Sequence, residues 1–132
     1  MSTQVLVLFT SKPVSTIFNE GGTQAWDLDP AHARRCVYAV LCRHTRGRNA
    51  PPKDQVPEPH GSAFLVGRIS DVVPATSVHP NATIKDRWKI VFDEYVEICV
   101  PNVWKSWRNP VKYMTFEELG IDIERLDFKK FL

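Results

Sequence analysis

The sequence predicts an α+β domain, a small curved β-sheet or barrel with short flanking helices. Three observations lead there: apolar segments of strand length recur along the chain, long helical stretches are few, and long polar loops separate the segments. At 132 residues, 43% hydrophobic and 24% charged, the chain can bury one core without disulfides or metals. We read residues 1–132 as a single domain.

Val5 to Phe9 is a run of large apolar residues bounded by Thr10, Ser11 and Pro13, the pattern of a strand buried on both faces. Pro13 to Phe18 holds a helical turn, broken at Gly21 and Gly22. Asp29-Pro30 starts a short helix, Asp as N-cap and Pro at the first helical position. Cys36 to Cys42 is apolar on both alternating sets and reads as a central strand. From His44 to Gly61 four prolines, two glycines and little apolar content predict a long polar loop. Ala63 to Val73 returns to strand, with Phe64, Val66 and Val72 on one face, Leu65 and Ile69 on the other, and Gly67 at a bulge or close approach. After the polar segment 75–86, Trp88, Ile90, Phe92, Val96, Ile98 and Val100 form one period-2 stripe, predicting a long half-exposed antiparallel strand. Asn102 to Pro110 is a loop carrying Trp104 and Trp107. Thr115 and Glu118 form a capping box, Gly120 closes that one-turn helix, and a second short helix runs from Asp122 to about Leu126.

Charge is unevenly spread. Between Ala31 and Lys53 lie six basic residues, Arg34, Arg35, Arg43, Arg46, Arg48 and Lys53, and no acidic one, whereas Ile69 to Leu132 carries nine basic and ten acidic residues. A local positive stretch on a near-neutral chain suits a phosphate-facing surface, because clustered cations gain from counterion release. A solvated basic loop explains it equally well. No apolar run approaches the ~18 residues of a membrane span, and the longest near the N-terminus has five, so the expectation is a cytoplasmic protein with no membrane partner. Cys36, Cys42 and Cys99 are an odd number at irregular spacing, as free thiols in a reducing compartment are.

No nucleophile elbow, phosphate loop, dinucleotide fingerprint or zincin motif occurs, and the chain reads as non-catalytic, with no cofactor. His32, Cys36, Cys42 and His44 match no common zinc spacing and read as structural, so no metal is expected. The aromatics lead elsewhere. Trp88 falls on an apolar strand face and belongs to the core, whereas Trp26, Trp104 and Trp107 fall among polar neighbours in loops. A loop tryptophan beside Lys105 or Arg108 either caps the core or stacks a base while the cation takes its phosphate.

The segments in order resemble the PUA-like superfamily, nearest in layout to its EVE and YTH branches. The resemblance is carried by the opening strand with Thr10-Ser11-Lys12 and then Trp26, by Cys36 to Arg43, and by Gly61 to Gly67. It continues through Arg87 to Val100, Pro101-Asn102, Asn109-Pro110-Val111 and Thr115 to Gly120. It implies a small barrel that holds a modified base in an aromatic pocket at one end, with Trp26 and Ser11 in that pocket. Thr10 stands where the YTH pattern has lysine, and 75–86 lacks the second cage tryptophan, which turns the reading away from N6-methyladenine and leaves the base open.

The resulting expectation is a nucleic-acid-binding domain that reads a single-stranded or flipped modified base. Ser11, Trp26, Trp104 and Trp107 are its ligand residues, and Arg43, Arg46, Arg48 and Lys53 its backbone contacts. Two alternatives stand beside it: an enzyme acting on a nucleotide or small metabolite through His44, His60 or His79, and a protein-interaction module using Trp104 and Trp107.

Overall fold

Seven strands form one curled, half-barrel mixed sheet in a computed structural model that describes residues 4–46, 52, 55–75 and 87–131. The elements are β1 (Gln4–Thr10), α1 (Val14–Glu20), β2 (Gly22–Trp26), α2 (Pro30–Ala33), β3 (Tyr38–Arg43), β4 (Ala63–Pro74), β5 (Trp88–Val100), β6 (Val111–Thr115), α3 (Phe116–Leu119), a 3₁₀ turn at Ile123–Arg125 and β7 (Lys129–Lys130). The strand order is β2-β5-β4-β3-β1-β6, and β7 pairs with β5 beyond the end of β2. Among the described residues only β1 and β3 run parallel; every other pairing is antiparallel. The architecture is the small α+β curved sheet that the sequence predicts.

Local chemistry accounts for the helix boundaries. Gly21, at φ 71°, caps α1 in the left-handed region that glycine adopts without a steric penalty. The Asp29 side chain accepts from the Ala31 N–H, and Thr115 and Glu118 form the reciprocal capping box at α3. The expected helix after Asp122 is shorter than anticipated, a three-residue 3₁₀ turn.

Alternation along β1 and β3 sends side chains to two cores, one per sheet face. Leu6, Leu8, Ala39 and Leu41 join Ile17 of α1 on the first face, while Val5, Val7, Val40 and Cys42 join Phe116 and Leu119 of α3 on the second. β4 and β5 depart from simple alternation. Arg68 opposes Glu94 and Ile69 opposes Phe92, so Asp93 is an extra residue on β5. The extra residue inverts the face. Trp88, Ile90 and Phe92 serve the first core, but Val96, Ile98 and Val100 pack on the second, so the single stripe read from sequence is two half-stripes. At the start of β4, Leu41 opposes Leu65 and Cys42 opposes Ala63, which makes Phe64 the bulged residue. The bulge turns Phe64 to the first core beside Leu65, not to the side opposite it as strict alternation requires. Gly67 is a close approach, since a Cβ there would stand 2.5 Å from the Phe92 ring.

Candidate nucleic-acid interface

The strand directions define an upper end of the sheet, where β1, β3 and β5 finish and β4 and β6 begin. Three connections meet there: the turn after Thr10, the segment after Arg43 and the loop 101–110. Backbone hydrogen bonds lace them together. The Gly61 N–H donates to the Arg43 carbonyl at 2.8 Å, and the Gly61 carbonyl accepts from Val103 and Trp104 at 3.0 and 2.9 Å. The His44 N–H donates to the Thr10 carbonyl and that of Phe9 to the Pro110 carbonyl, both at 2.9 Å. Gly61, at φ 82°, turns the chain in a conformation that L side chains rarely adopt.

On the second face this end carries a column of rings. Trp104 stacks on Phe9 with centroids 4.6 Å apart and planes 3° from parallel, and Trp107 meets Trp104 edge-on at 4.9 Å. The rings of His44 and His60 also pack on Phe9, with centroids 4.4 and 5.4 Å away. The Trp104 indole N–H donates to the Trp107 carbonyl, and left-handed turns at Asn102 and Ser106 fold the loop tightly enough for the two indoles to meet. Trp104 is buried at 6% exposure, whereas Trp107 is half-buried and carries the Lys112 ammonium 4.1 Å above its ring. Exposed Arg46, Lys105 and Arg108 belong to the same connections, and no acidic residue occurs from Ile98 to Phe116.

On the first face the same end holds Arg43. Its side chain is 0% exposed and held by three hydrogen-bond acceptors. Nη1 donates to the carbonyls of Lys12 at 2.6 Å and Thr10 at 3.3 Å, and Nε donates to Glu58 Oε1 at 2.9 Å. The guanidinium carbon lies 3.8 Å from the centre of the re-aimed Phe64 ring. Burial pulls the guanidinium's pKa down, and the Glu58 carboxylate opposes that pull. Nη2 has no hydrogen-bond partner among the described residues. Beside this group an open cleft of about 680 Å³ lies between the start of α1 and the segment 55–58.

The sequence-expected site residues divide between these places. Trp104 and Trp107 pack on the second face, exposed Arg46 lies close enough to His60 to act on it electrostatically, and Ser11 lies between the two residues whose carbonyls hold Arg43. Arg43 itself is withdrawn from the surface, its Nη1 on backbone carbonyls and its Nε on Glu58; a fully buried guanidinium cannot serve as an exposed phosphate contact. Trp26 is far from Ser11. It ends β2, beside Trp88 at the lower end, is 8% exposed, and donates its indole N–H to Thr23 Oγ1 at 3.2 Å. It is a strand residue in the first core, not a loop residue. Arg48, Lys53 and His79 lie outside the described residues. Sequence reading passed over Phe9 and Glu58. Phe9 reads as one more apolar residue of a buried strand, and Glu58 as one acid in a polar loop. Lys112 offered the clearest missed signal, a third cation in the acid-free stretch around the tryptophans.

His44 and His60 add a pH dependence. Burial lowers both pKa values, with Arg46 and His44 adding to the effect on His60. His60 Nδ1 accepts from the Thr45 N–H at 3.1 Å, a bond that protonation of that nitrogen abolishes. A histidine titrating lower in the folded than in the unfolded chain supplies stability that is complete above about pH 6.5 and is lost as pH falls toward the folded value. The urea midpoint is therefore expected to drop between pH 7 and 5.5, and a His44→Gln/His60→Gln double variant to flatten that drop. An equally steep drop in the double variant would assign it to other groups.

No family model matches the chain, and no curated protein or solved structure matches it. Among the described residues no helix is long and apolar enough to cross a membrane.

Proposed function

We propose that this chain is a non-catalytic nucleic-acid-binding domain, PUA-like in kind, that holds a single-stranded or flipped base at the upper end of its sheet. One observation carries the reading. Exposed Arg46 of one connection and the acid-free stretch that carries Lys105, Arg108 and Lys112 meet at one end of the sheet around a column of stacked rings. Exposed cations bordering half-buried aromatic rings are what a single strand needs, since bases stack on the rings while phosphates meet the charges. Trp107 is the stacking surface in this reading, with Trp104 and Phe9 as its support. Arg46, Lys105, Arg108 and Lys112 take the backbone, and Arg43 acts from within by holding the connections in place.

The test is a titration of short labelled single-stranded oligonucleotides, unmodified and methylated, followed by fluorescence anisotropy at several salt concentrations. Four phosphate contacts predict that log K falls with log salt at a slope of about −3. Trp107→Ala is expected to weaken binding roughly 5- to 100-fold, the value of one stacked base. Affinity that is indifferent both to salt and to Trp107 would refute the proposal.

A further inference from the structure

We propose that His60 is a phosphate contact beside Arg46 that engages once it is protonated, so that nucleic-acid binding at the upper end of the sheet takes up a proton and strengthens as pH falls. This rests on the nucleic-acid reading above and adds the control of that same site.

His60 belongs to the ring column. It packs edge-on against Phe9, with centroids 5.4 Å and planes 78° apart, and Trp104 stacks on that same Phe9 ring. The backbone around it is fixed, because the Gly61 N–H donates to the Arg43 carbonyl and the Gly61 carbonyl accepts from Val103 and Trp104. Its ring is half-buried, and exposed Arg46 lies within electrostatic range of it.

The surroundings of this ring admit both protonation states. In the neutral ring Nδ1 accepts from the Thr45 N–H at 3.1 Å, and Thr45 Oγ1 stands 3.1 Å from the same nitrogen. A hydroxyl both donates and accepts, so when Nδ1 gains a proton Oγ1 takes the new bond. Nε2 keeps its hydrogen throughout, and protonation turns it from a neutral donor into a charged one, which bonds a phosphate oxygen about twice as strongly. His44, whose ring lies 5.7 Å from that of His60, lacks this provision: its Nδ1 is buried with no partner among the described residues, so a proton there finds no acceptor. The pair therefore takes one proton, at His60.

What this end lacks is a counter-charge. Burial, Arg46 and His44 all act against a cation at His60, and among the described residues no carboxylate acts on either histidine. Glu58, two residues away, is bonded to Arg43. Lys105 and Arg108 of the loop 101–110 add only positive charge, and Cys42, on the same strand face as His44, stays a neutral thiol, its pKa pushed up to about 12 by burial. The anion that balances a charged His60 must come from outside. A phosphate held between Arg46 and His60 supplies it and removes the repulsion between the two cations. Linkage is reciprocal: an anion that favours the protonated ring binds more tightly when the ring is protonated.

The experiment titrates the full chain with a short labelled oligothymidylate, whose bases and diester phosphates keep their charge between about pH 8 and 6, the range in which a histidine changes its own. Affinity is expected to rise roughly fivefold or more over that range, with circular dichroism confirming that the chain is folded at both ends of it. The slope of log K against log salt should steepen by about 0.7, the value of one added phosphate contact. Calorimetry in two buffers of different ionisation heat should show a fraction of a proton taken up per strand bound. His60→Gln is expected to abolish the rise, the steepening and the uptake, whereas His44→Gln keeps all three. Thr45→Val removes only the acceptor at Nδ1 and should shrink all three, which decides the matter should His60→Gln not fold. Equal wild-type affinity at both pH values without proton uptake, or a rise that survives in His60→Gln or is untouched by Thr45→Val, overturns the assignment and leaves the nucleic-acid reading in place. Failure of oligothymidylate and of the methylated oligonucleotides to bind at either pH overturns both.

Discussion

Arg43→Ala is expected to cost roughly 3–5 kcal/mol of folding stability, the range seen when one partner of a buried charge pair is removed. The substitution strips donors from the Thr10 and Lys12 carbonyls, leaves Glu58 beside an apolar wall and opens a void over Phe64. The four partners come from three segments, the turn after β1, the segment 55–58 and β4, so the loss loosens the whole upper end of the sheet. Arg43→Lys should recover only part of it, because a single ammonium cannot reach the carbonyls and Glu58 from one position as a planar fork does. Urea unfolding followed by circular dichroism measures both, with the slope checked for constancy. A loss below about 1 kcal/mol for the alanine variant would mean that Arg43 does not organise this end.

Gly22→Ala is the second large effect, expected at about 3 kcal/mol or more. A Cβ on Gly22 would fall on the carbonyl oxygen of Ile90 and within 3.0 Å of the Val91 Cα, both of them backbone. β5 is held by β4 on its other side and cannot retreat, so the pairing of β2 with β5 must open instead. Gly21→Ala is the internal control. Its Cβ would meet nothing within 4 Å, and its cost is the left-handed backbone alone, ~1–2 kcal/mol. Equal midpoints for the two variants in thermal or urea unfolding would rule out the close contact at Gly22.

The candidate site was legible in part. Trp107 and the exposed cations Arg46, Lys105 and Arg108 could be read directly, because local composition records what must stay near solvent, whereas Trp104, read as a ligand residue, is buried against Phe9. Arg43 could not be placed that way. It belongs to the basic stretch by sequence, yet as the last residue of β3 it alternates to the face of Ala39 and Leu41, where Lys12, Thr10 and Glu58 bond its Nη1 and Nε. Trp26 failed for the converse reason: among polar neighbours it looks free, but the edge strand β2 turns it inward and Thr23 takes its N–H.

By itself the sequence determined what neighbouring residues decide among themselves. Period-2 apolar runs made the strands, Gly21, Asp29 and the Thr115–Glu118 box placed the helix ends, and Pro74 and Pro101 closed the long strands, because each of these is a contest between a few adjacent bonds. Only the tertiary structure decided which face each half of β5 serves, where Phe64 points, and that residues near 9, 44, 60 and 104 meet at one end. A bulge is a mismatch of two strands, and register exists only once both strands are paired. The burial of Arg43 is a product of that pairing, and for that reason no reading of the residues one after another could have found it.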